Sequence, residues 1–452
     1  MRFIKKHYSY ILFFFFLCFI NYFLIYADFS YDTIWEYGMS HAFVLGQLPY
    51  KDFTLVTTPL FIILFSIGLF IKDNLFVFLL ESIISYMIMY YFLDKLIGKN
   101  KSIFILFLCL FLFKSFIASY NSLCLVFIVI LMYLEKNNNN DYLIGLLLGL
   151  LILTKHTIGL SIMLCTFIGI RNISRISKRL IGVSIPLLLF LIYLLITNSL
   201  FQFIDLTILG LFDFKNSNTL LISYVFVLSL LLLLITIIFM FKNKKEILFY
   251  YVLGSFAFII PIFDLNHFTF LFSIFIIPII YIYNEKIDFK LGPYILVIVL
   301  TILNLGVRLD SYSNLYINPF NHFDMTIINR DYDRIHSNII SEMKKYDNMI
   351  IISDSGSFYS IILDKKLDYF TIPHRGNYGY NGLDKMKKRF NKLEDTYIFL
   401  DKGFYDIIVH DTKNGFDTGI AKSQFDTELY EYIINNSKFV SSVEGFDIYY
   451  KE

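Results

Sequence analysis

Charge is scarce in this chain, and so are cysteine and tryptophan. Only 17% of its 452 residues are charged, 57% are hydrophobic, and the mean hydropathy is +0.63. A soluble chain of this length has nowhere to hide so much apolar surface, and its repeated apolar runs approach spanning length. A soluble fold is excluded; the class is an α-helical polytopic membrane protein. The formal net charge is +2, with no basic or acidic excess to draw a nucleic-acid partner. The four cysteines, Cys18, Cys109, Cys124 and Cys165, all fall in apolar runs. Their spacing matches no metal site, so they read as small buried hydrophobes. No internal repeat is visible. The single tryptophan, Trp35, and two of the eight prolines fall in one short stretch.

That stretch runs from Tyr31 to Leu60, a polar island between apolar segments. It holds three carboxylates, Asp32, Glu36 and Asp52. Asp32 and Glu36 are four apart and share one face of a short helix. Pro49 then ends the helix, since it lacks an N–H and disfavours helical geometry at Leu48. Asp52 follows the break, and Pro59 opens PLFIILFSIGLFI, about 13 residues long. A span needs about 20 residues, so this run reads as a juxtamembrane or re-entrant helix on the outer face. Trp35 and the nearby tyrosines fit an interfacial aromatic belt.

The first apolar segment, about Tyr8 to Ala27, follows Arg2, Lys5 and Lys6 but lacks a small-residue cleavage site, so it reads as a retained anchor. Further segments lie at about 75–94, 103–119, 122–134, 142–154, 157–170, 180–197, 219–241, 247–260, 267–283 and 291–306, giving about 11 transmembrane helices within residues 1–306. With the N-terminus cytoplasmic, inner segments hold sixteen Lys and Arg and outer ones five. The positive-inside rule therefore places the first polar loop, residues 28–74, outside. An odd number of spans puts residues 307–452 outside as well. The richness in Phe, Ile, Tyr, Asn and Lys suggests an AT-rich bacterial genome and hence a bacterial plasma membrane.

Residues 307–452 change composition sharply. NMIIISD (348–354), TYIFLD (396–401) and YDIIVH (405–410) read as short buried strands. Residues 331–347 and 424–436 read as amphipathic helices. Together they predict a C-terminal extracytoplasmic α/β domain. GNYGYNG (376–382) is a Gly/Asn-rich loop without the strand-to-helix context or lysine of a P-loop.

Ionisable residues near membrane depth are costly, so those on the outer side are candidates for function. Besides the polar island there are SYNS (119–122), TKH (154–156) with Lys155 and His156, and PIFDLNHF (261–268) with Asp264 and His267. An outer carboxylate would deprotonate an acceptor hydroxyl, and Asp32, Glu36 and Asp52 are the catalytic candidates. Lys155, His156 and His267 would hold a phosphate anion and stabilise a departing lipid phosphate.

These residues resemble the GT-C superfamily of polyprenyl-phosphate-dependent glycosyltransferases, nearest to bacterial relatives of protein O-mannosyltransferases and aminoarabinose transferases. The resemblance covers residues 8–285. It rests on a span, an acidic outer loop with G-x-x-P-Y-x-D-F and P-L, and a juxtamembrane helix. GLLLGLLILTKHTIGL (145–160) resembles the family's Gly-rich span ending in Thr-Lys, and DLNHFTFLFSIFIIP (264–278) its late His-containing motif. The resemblance implies a GT-C-like fold. It also implies transfer of a sugar from a polyprenyl-phosphate donor to an extracytoplasmic glycan, lipid or protein. The catalytic Asp falls by resemblance on Asp32, with Asp28 its rival at the helix end. The family often has a second acidic residue between spans three and four, where this chain has Asn121. That departure counts against a divalent-metal site, and Asp52 is the carboxylate that would replace it.

Plainer roles stand beside these. Asp32 and Glu36 would be solvated loop charges, Asp52 a turn cap, and Lys155 a snorkelling interfacial residue. His156 and His267 would be structural hydrogen-bonders, and His374 and Arg375 part of a solvated turn. Two other functions are a transporter or lipid flippase, with Glu81 as its intramembrane charge, and a non-catalytic GT-C-like glycan-binding or assembly protein.

Overall fold

The computed structural model describes residues 9–18, 31–98, 102, 119–137, 140–212, 224–243, 246–260, 265–283, 337–353, 356–371, 377–402 and 424–452. The expected strand at 405–410, the expected span at 291–306, nearly all of that at 103–119, and Asp28, Asp264, His374 and Arg375 lie outside them. Within the described residues the chain is mostly helical, with one small sheet near its end. Its backbone divides into two compact units, one of residues 1–29, 78–191 and 222–313, the other of 30–77, 192–221 and 314–452.

The first unit contains α1 (Ser9–Cys18). The polar island then supplies α2 (Tyr31–Val44) and α3 (Leu60–Phe65) to the second unit. There follow α4 (Leu75–Ile97), α5 (Tyr120–Asn137), α6 (Asp141–Thr154), α7 (His156–Ile170) and α8 (Ile173–Ile196). A short helix α9 (Leu200–Phe203) runs into a π-helical turn, Ile204–Leu209, and is succeeded by α10 (Tyr224–Lys242), α11 (Leu248–Ser255) and α12 (Leu265–Ile282). Among the described residues, α4, α5, α8 and α10 are long and apolar enough to cross a membrane. The segments expected at 142–154 and 157–170 are the helices α6 and α7, of 14 and 15 residues.

Two backbone approaches fix the helix packing of the first unit. A Cβ on Gly145 of α6 would meet the carbonyl oxygen of Arg179 at 2.1 Å, and one on Gly182 of α8 would meet that of Tyr142 at 2.3 Å. Between helices without a solvent-driven apolar force, such small residues allow the close contact that holds them. The Gly-rich character of 145–160 thus has a packing cause.

At the cytoplasmic-predicted end of this bundle lies a buried ion cluster. Arg179, 0% exposed, donates through Nε to Asp141 Oδ1 (2.8 Å) and through Nη2 to Glu135 Oε1 (2.9 Å). Arg175 donates through Nε to Asp141 Oδ2 (3.0 Å) and through Nη2 to Glu135 Oε1 (3.1 Å). The Tyr251 hydroxyl donates to Glu135 Oε2 (3.2 Å). Four elements, α5, α6, α8 and α11, are tied by these groups.

In the second unit, the 13-residue run after Pro59 is not one helix. α3 ends after six residues and turns carry the chain to Ile71. Ser66 Oγ donates back to the Ile62 carbonyl (2.5 Å) and lies 3.2 Å from that of Ser40, so the hydroxyl competes for backbone acceptors at the helix end. The C-terminal part contributes α13 (Ser337–Met343), β1 (Met349–Ile352), α14 (Gly356–Ile362) and α15 (Gly382–Phe390), then β2 (Thr396–Asp401), α16 (Gln424–Asn435), β3 (Lys438–Val443) and β4 (Phe446–Lys451). The sheet order is β1-β2-β4-β3, with β1 parallel to β2 and the other pairs antiparallel. Met386 and Phe390 of α15, Leu429 and Ile433 of α16, and Ile352, Ile398 and Leu400 of the strands form its core.

The polar island belongs to the same unit as this sheet. Gln47 Nε2 donates to the Leu367 carbonyl and Gln47 Oε1 accepts from the Leu367 N–H, both at 2.9 Å. α14 packs on α2, where a Cβ on Gly38 would stand 3.0 Å from Ser357 Cβ.

Candidate functional site

The residues singled out in the sequence fall into two groups, one in each unit. Asp32 lies in the first turn of α2; its side chain is outside the described set. Glu36, one turn on, is only 2% exposed, so it is a buried carboxylate and the solvated-charge role fails for it. An acid placed there has its ionised form disfavoured unless polar groups compensate. Asp52 takes the turn-capping role. Its Oδ2 accepts from the Leu48 N–H at 2.7 Å, closing the LPYKD turn that Tyr50, at φ 68°, bends sharply. The Tyr193 hydroxyl donates to the Pro49 carbonyl (3.1 Å) and Tyr50 to that of Thr57 (2.6 Å), so this turn is held from several sides.

α2 also presents a group that the sequence pattern does not mark, built on Tyr37 and His41. His41 Nδ1 is 2.5 Å from Asp73 Oδ2, and the Tyr37 hydroxyl donates to Asp73 Oδ1 at 3.3 Å. Tyr37 and His41 are four apart on one face of α2, while Asp73 follows α3. A carboxylate on one ring nitrogen of a histidine fixes the tautomer and orientation of the imidazole, the arrangement on which general acid–base catalysis draws. Burial, reinforced by the adjacent Asp73 charge and hydrogen bond, raises the Tyr37 phenol well above its ordinary range, so it stays a donor.

In the first unit, Lys155 is the single extended residue between α6 and α7, at φ −151° and ψ 104°. Its Nζ donates to Asn121 Oδ1 at 2.9 Å and lies 5.1 Å from the Tyr120 ring centroid and 6.0 Å from that of Phe258. The polar turn at 119–122 and the Thr-Lys-His turn therefore meet. Asn121, 9% exposed, spends its carbonyl oxygen on Lys155. Among the described residues no three His, Cys, Asp or Glu side chains are grouped to hold a metal ion.

His156 opens α7 beside Lys155. Both of its ring nitrogens are buried and have no hydrogen-bond partner among the described residues, so the structural-hydrogen-bonder role is unfilled there. His267 lies half-buried in the first turn of α12. Phe270, three residues on, stacks on Phe258 with centroids 5.6 Å apart, and Phe258 is the same ring that flanks Lys155. Lys155, His156 and the start of α12 thus gather around one aromatic turn of the first unit. That region offers cationic and imidazole donors in an apolar, aromatic setting, which suits an anion more than a neutral solute.

No protein-family model matches the chain, and no curated protein matches it.

Proposed function

We propose that this protein is a membrane glycosyltransferase that moves a single sugar from a polyprenyl-phosphate donor to an extracytoplasmic cell-envelope acceptor. One observation carries the reading: the first polar loop and the C-terminal α/β elements belong to one compact unit, joined through Gln47 and Leu367. Two loops joined in this way lie on the same side of a bilayer, which agrees with the even number of spans between them in an eleven-span, GT-C-like chain; the cytoplasmic N-terminus and the outward side are assigned from the positive-inside count.

In this reading Asp32 is the general base. It takes the proton of the acceptor hydroxyl as that oxygen bonds to the anomeric carbon; the bond from that carbon to the phosphate oxygen breaks, and the electron pair leaves with the lipid phosphate. Glu36 and Asp52 shape the loop that carries the base. Lys155, His156 and His267 are assigned to the donor phosphate, and the unpartnered ring of His156 supports that assignment. The sugar is activated on lipid because nucleotide sugars are absent outside the plasma membrane.

The test is deletion of the gene with mass spectrometry of the envelope sugars, followed by restoration with wild type or Asp32→Asn. Loss of one sugar, restored only by wild type, is expected. Full restoration by Asp32→Asn removes the base assignment, and an unchanged sugar profile on deletion removes the transferase reading.

A further inference from the structure

The α/β part of the second unit contains a concave basic site that the sequence analysis did not single out. The cavity measures about 580 Å³, within the range of small-ligand sites, and its apolar floor is Ile350, Phe370 and Leu393. One wall is α15 and the residue pair after it. The four cations there, Lys385, Lys388, Arg389 and Lys392, recur at the spacing of a single helical face. Met386 and Phe390 point into the domain core and Lys387 lies over the Tyr432 ring at 5.2 Å, so the remaining positions make the cavity wall.

The cations are poorly balanced. Lys385 pairs with Asp205, and Arg389 stacks on the Tyr369 ring with its guanidinium carbon 3.3 Å from the centroid. Lys388 and Lys392 have no carboxylate partner among the described residues. Asp368 is the one acid lining the cavity, and its Oδ1 already accepts from the Phe370 N–H at 2.6 Å and the Thr371 hydroxyl at 3.1 Å. Like charges three and four residues apart repel each other. Lys388 and Lys392 are exposed, and with Lys385 and Arg389 they rim a concave site with an apolar floor.

We propose that this cavity binds a soluble polymer segment carrying two or more phosphate groups, a phosphate-bearing glycan or polyol. Lys385 and Lys392 are seven residues apart, at the two ends of a row of four cations, so the row offers more than one anchoring point along an extended anionic chain. Lysine ammonium groups act as point charges that a phosphodiester can meet from several directions, and the Arg389 plane is fixed in place by its ring. The claim rests on the transferase reading only for its suggestion that the bound chain is the acceptor. Binding is measured by itself, so either claim fails without the other.

The experiment is calorimetry on the full-length protein in neutral phosphatidylcholine nanodiscs, titrated with a short oligo(glycerol phosphate). Saturable binding is expected, weakened by about tenfold or more in Lys388→Gln/Lys392→Gln and by added salt, and retained in Lys388→Arg/Lys392→Arg. Circular dichroism and the melting temperature of the Gln pair should match wild type, since both side chains are exposed. No binding, equal binding of a neutral dextran oligosaccharide, or indifference to the Gln pair overturns the proposal. So does binding confined to phosphatidylglycerol nanodiscs, which would make the site a lipid-headgroup contact.

Discussion

His41 Nδ1 and Asp73 Oδ2 stand 2.5 Å apart, joining α2 to the chain beyond α3 across 32 residues. His41 is buried and Asp73 mostly so, and Tyr37 shares the same carboxylate. Replacing Asp73 by Asn keeps the shape but removes the charge that orients the ring. We expect a loss of about 2–4 kcal/mol, below the full cost of a buried broken pair because Asp73 is partly exposed. A fall in the melting temperature of the detergent-solubilised protein checks this. An unchanged midpoint would mean that the contact is stabilised by nothing beyond geometry.

Arg179 is the hub of the other buried charge group. Truncating it to Met leaves Glu135 and Asp141 with Arg175 as their shared cation and the Tyr251 hydroxyl on Glu135, and should cost about 3–5 kcal/mol. Arg179→Lys should rescue little, because a single ammonium cannot reach two carboxylates with a planar fork. Replacing Glu135 and Asp141 together with Leu and Asn in the Arg179→Met background should recover part of the loss. Thermal aggregation in detergent reads all three; additive losses would contradict a shared cluster.

Asp368 supplies a pH dependence with a definite sign. Burial outweighs its hydrogen bonds to Phe370 and Thr371 and pushes its carboxyl up to about 6. A folded-state value above the unfolded one means that the native state holds the proton more tightly. This group therefore favours folding fully below about pH 4, and the contribution fades as pH rises through 6. The α/β part should lose about 1–3 kcal/mol between those limits, and Asp368→Asn should flatten the curve. Unfolding midpoints at pH 4.5 and pH 7.5, about the two sides of the transition, decide it. A wild-type curve as flat as that of the variant would refute the assignment.

The strands β1 and β2 and the helix α16 are legible in the sequence, because short β-branched runs and an amphipathic repeat survive any tertiary setting. The hairpin of β3 and β4 is not. Its turn is Glu444–Gly445, both at positive φ (45° and 84°), and glutamate is not the residue by which such turns are recognised. The acidic character of the polar island is equally plain in the chain, whereas the burial of Glu36 is not, since pattern alone cannot tell a wet face from one covered by distant residues. His41 and Asp73 escaped for a related reason: nothing in a 32-residue separation marks two side chains as partners. Lys155 and Asn121 were each noticed, but their hydrogen bond depends on α5 and α6 packing side by side. The juxtamembrane run is helical only over Leu60–Phe65 and continues as turns to Ile71, a stop that hydropathy does not mark.

The paired amide bonds between Gln47 and Leu367 join residues 320 positions apart. A ribosome releases the first of these long before the second exists. The opening loop must wait in an unfinished state while the intervening segments are made, and it closes only when the tail of the chain exists. Assembly of this unit is therefore among the last steps in the protein's biogenesis, and any lesion that stops synthesis short of the tail leaves the acidic loop permanently unclosed.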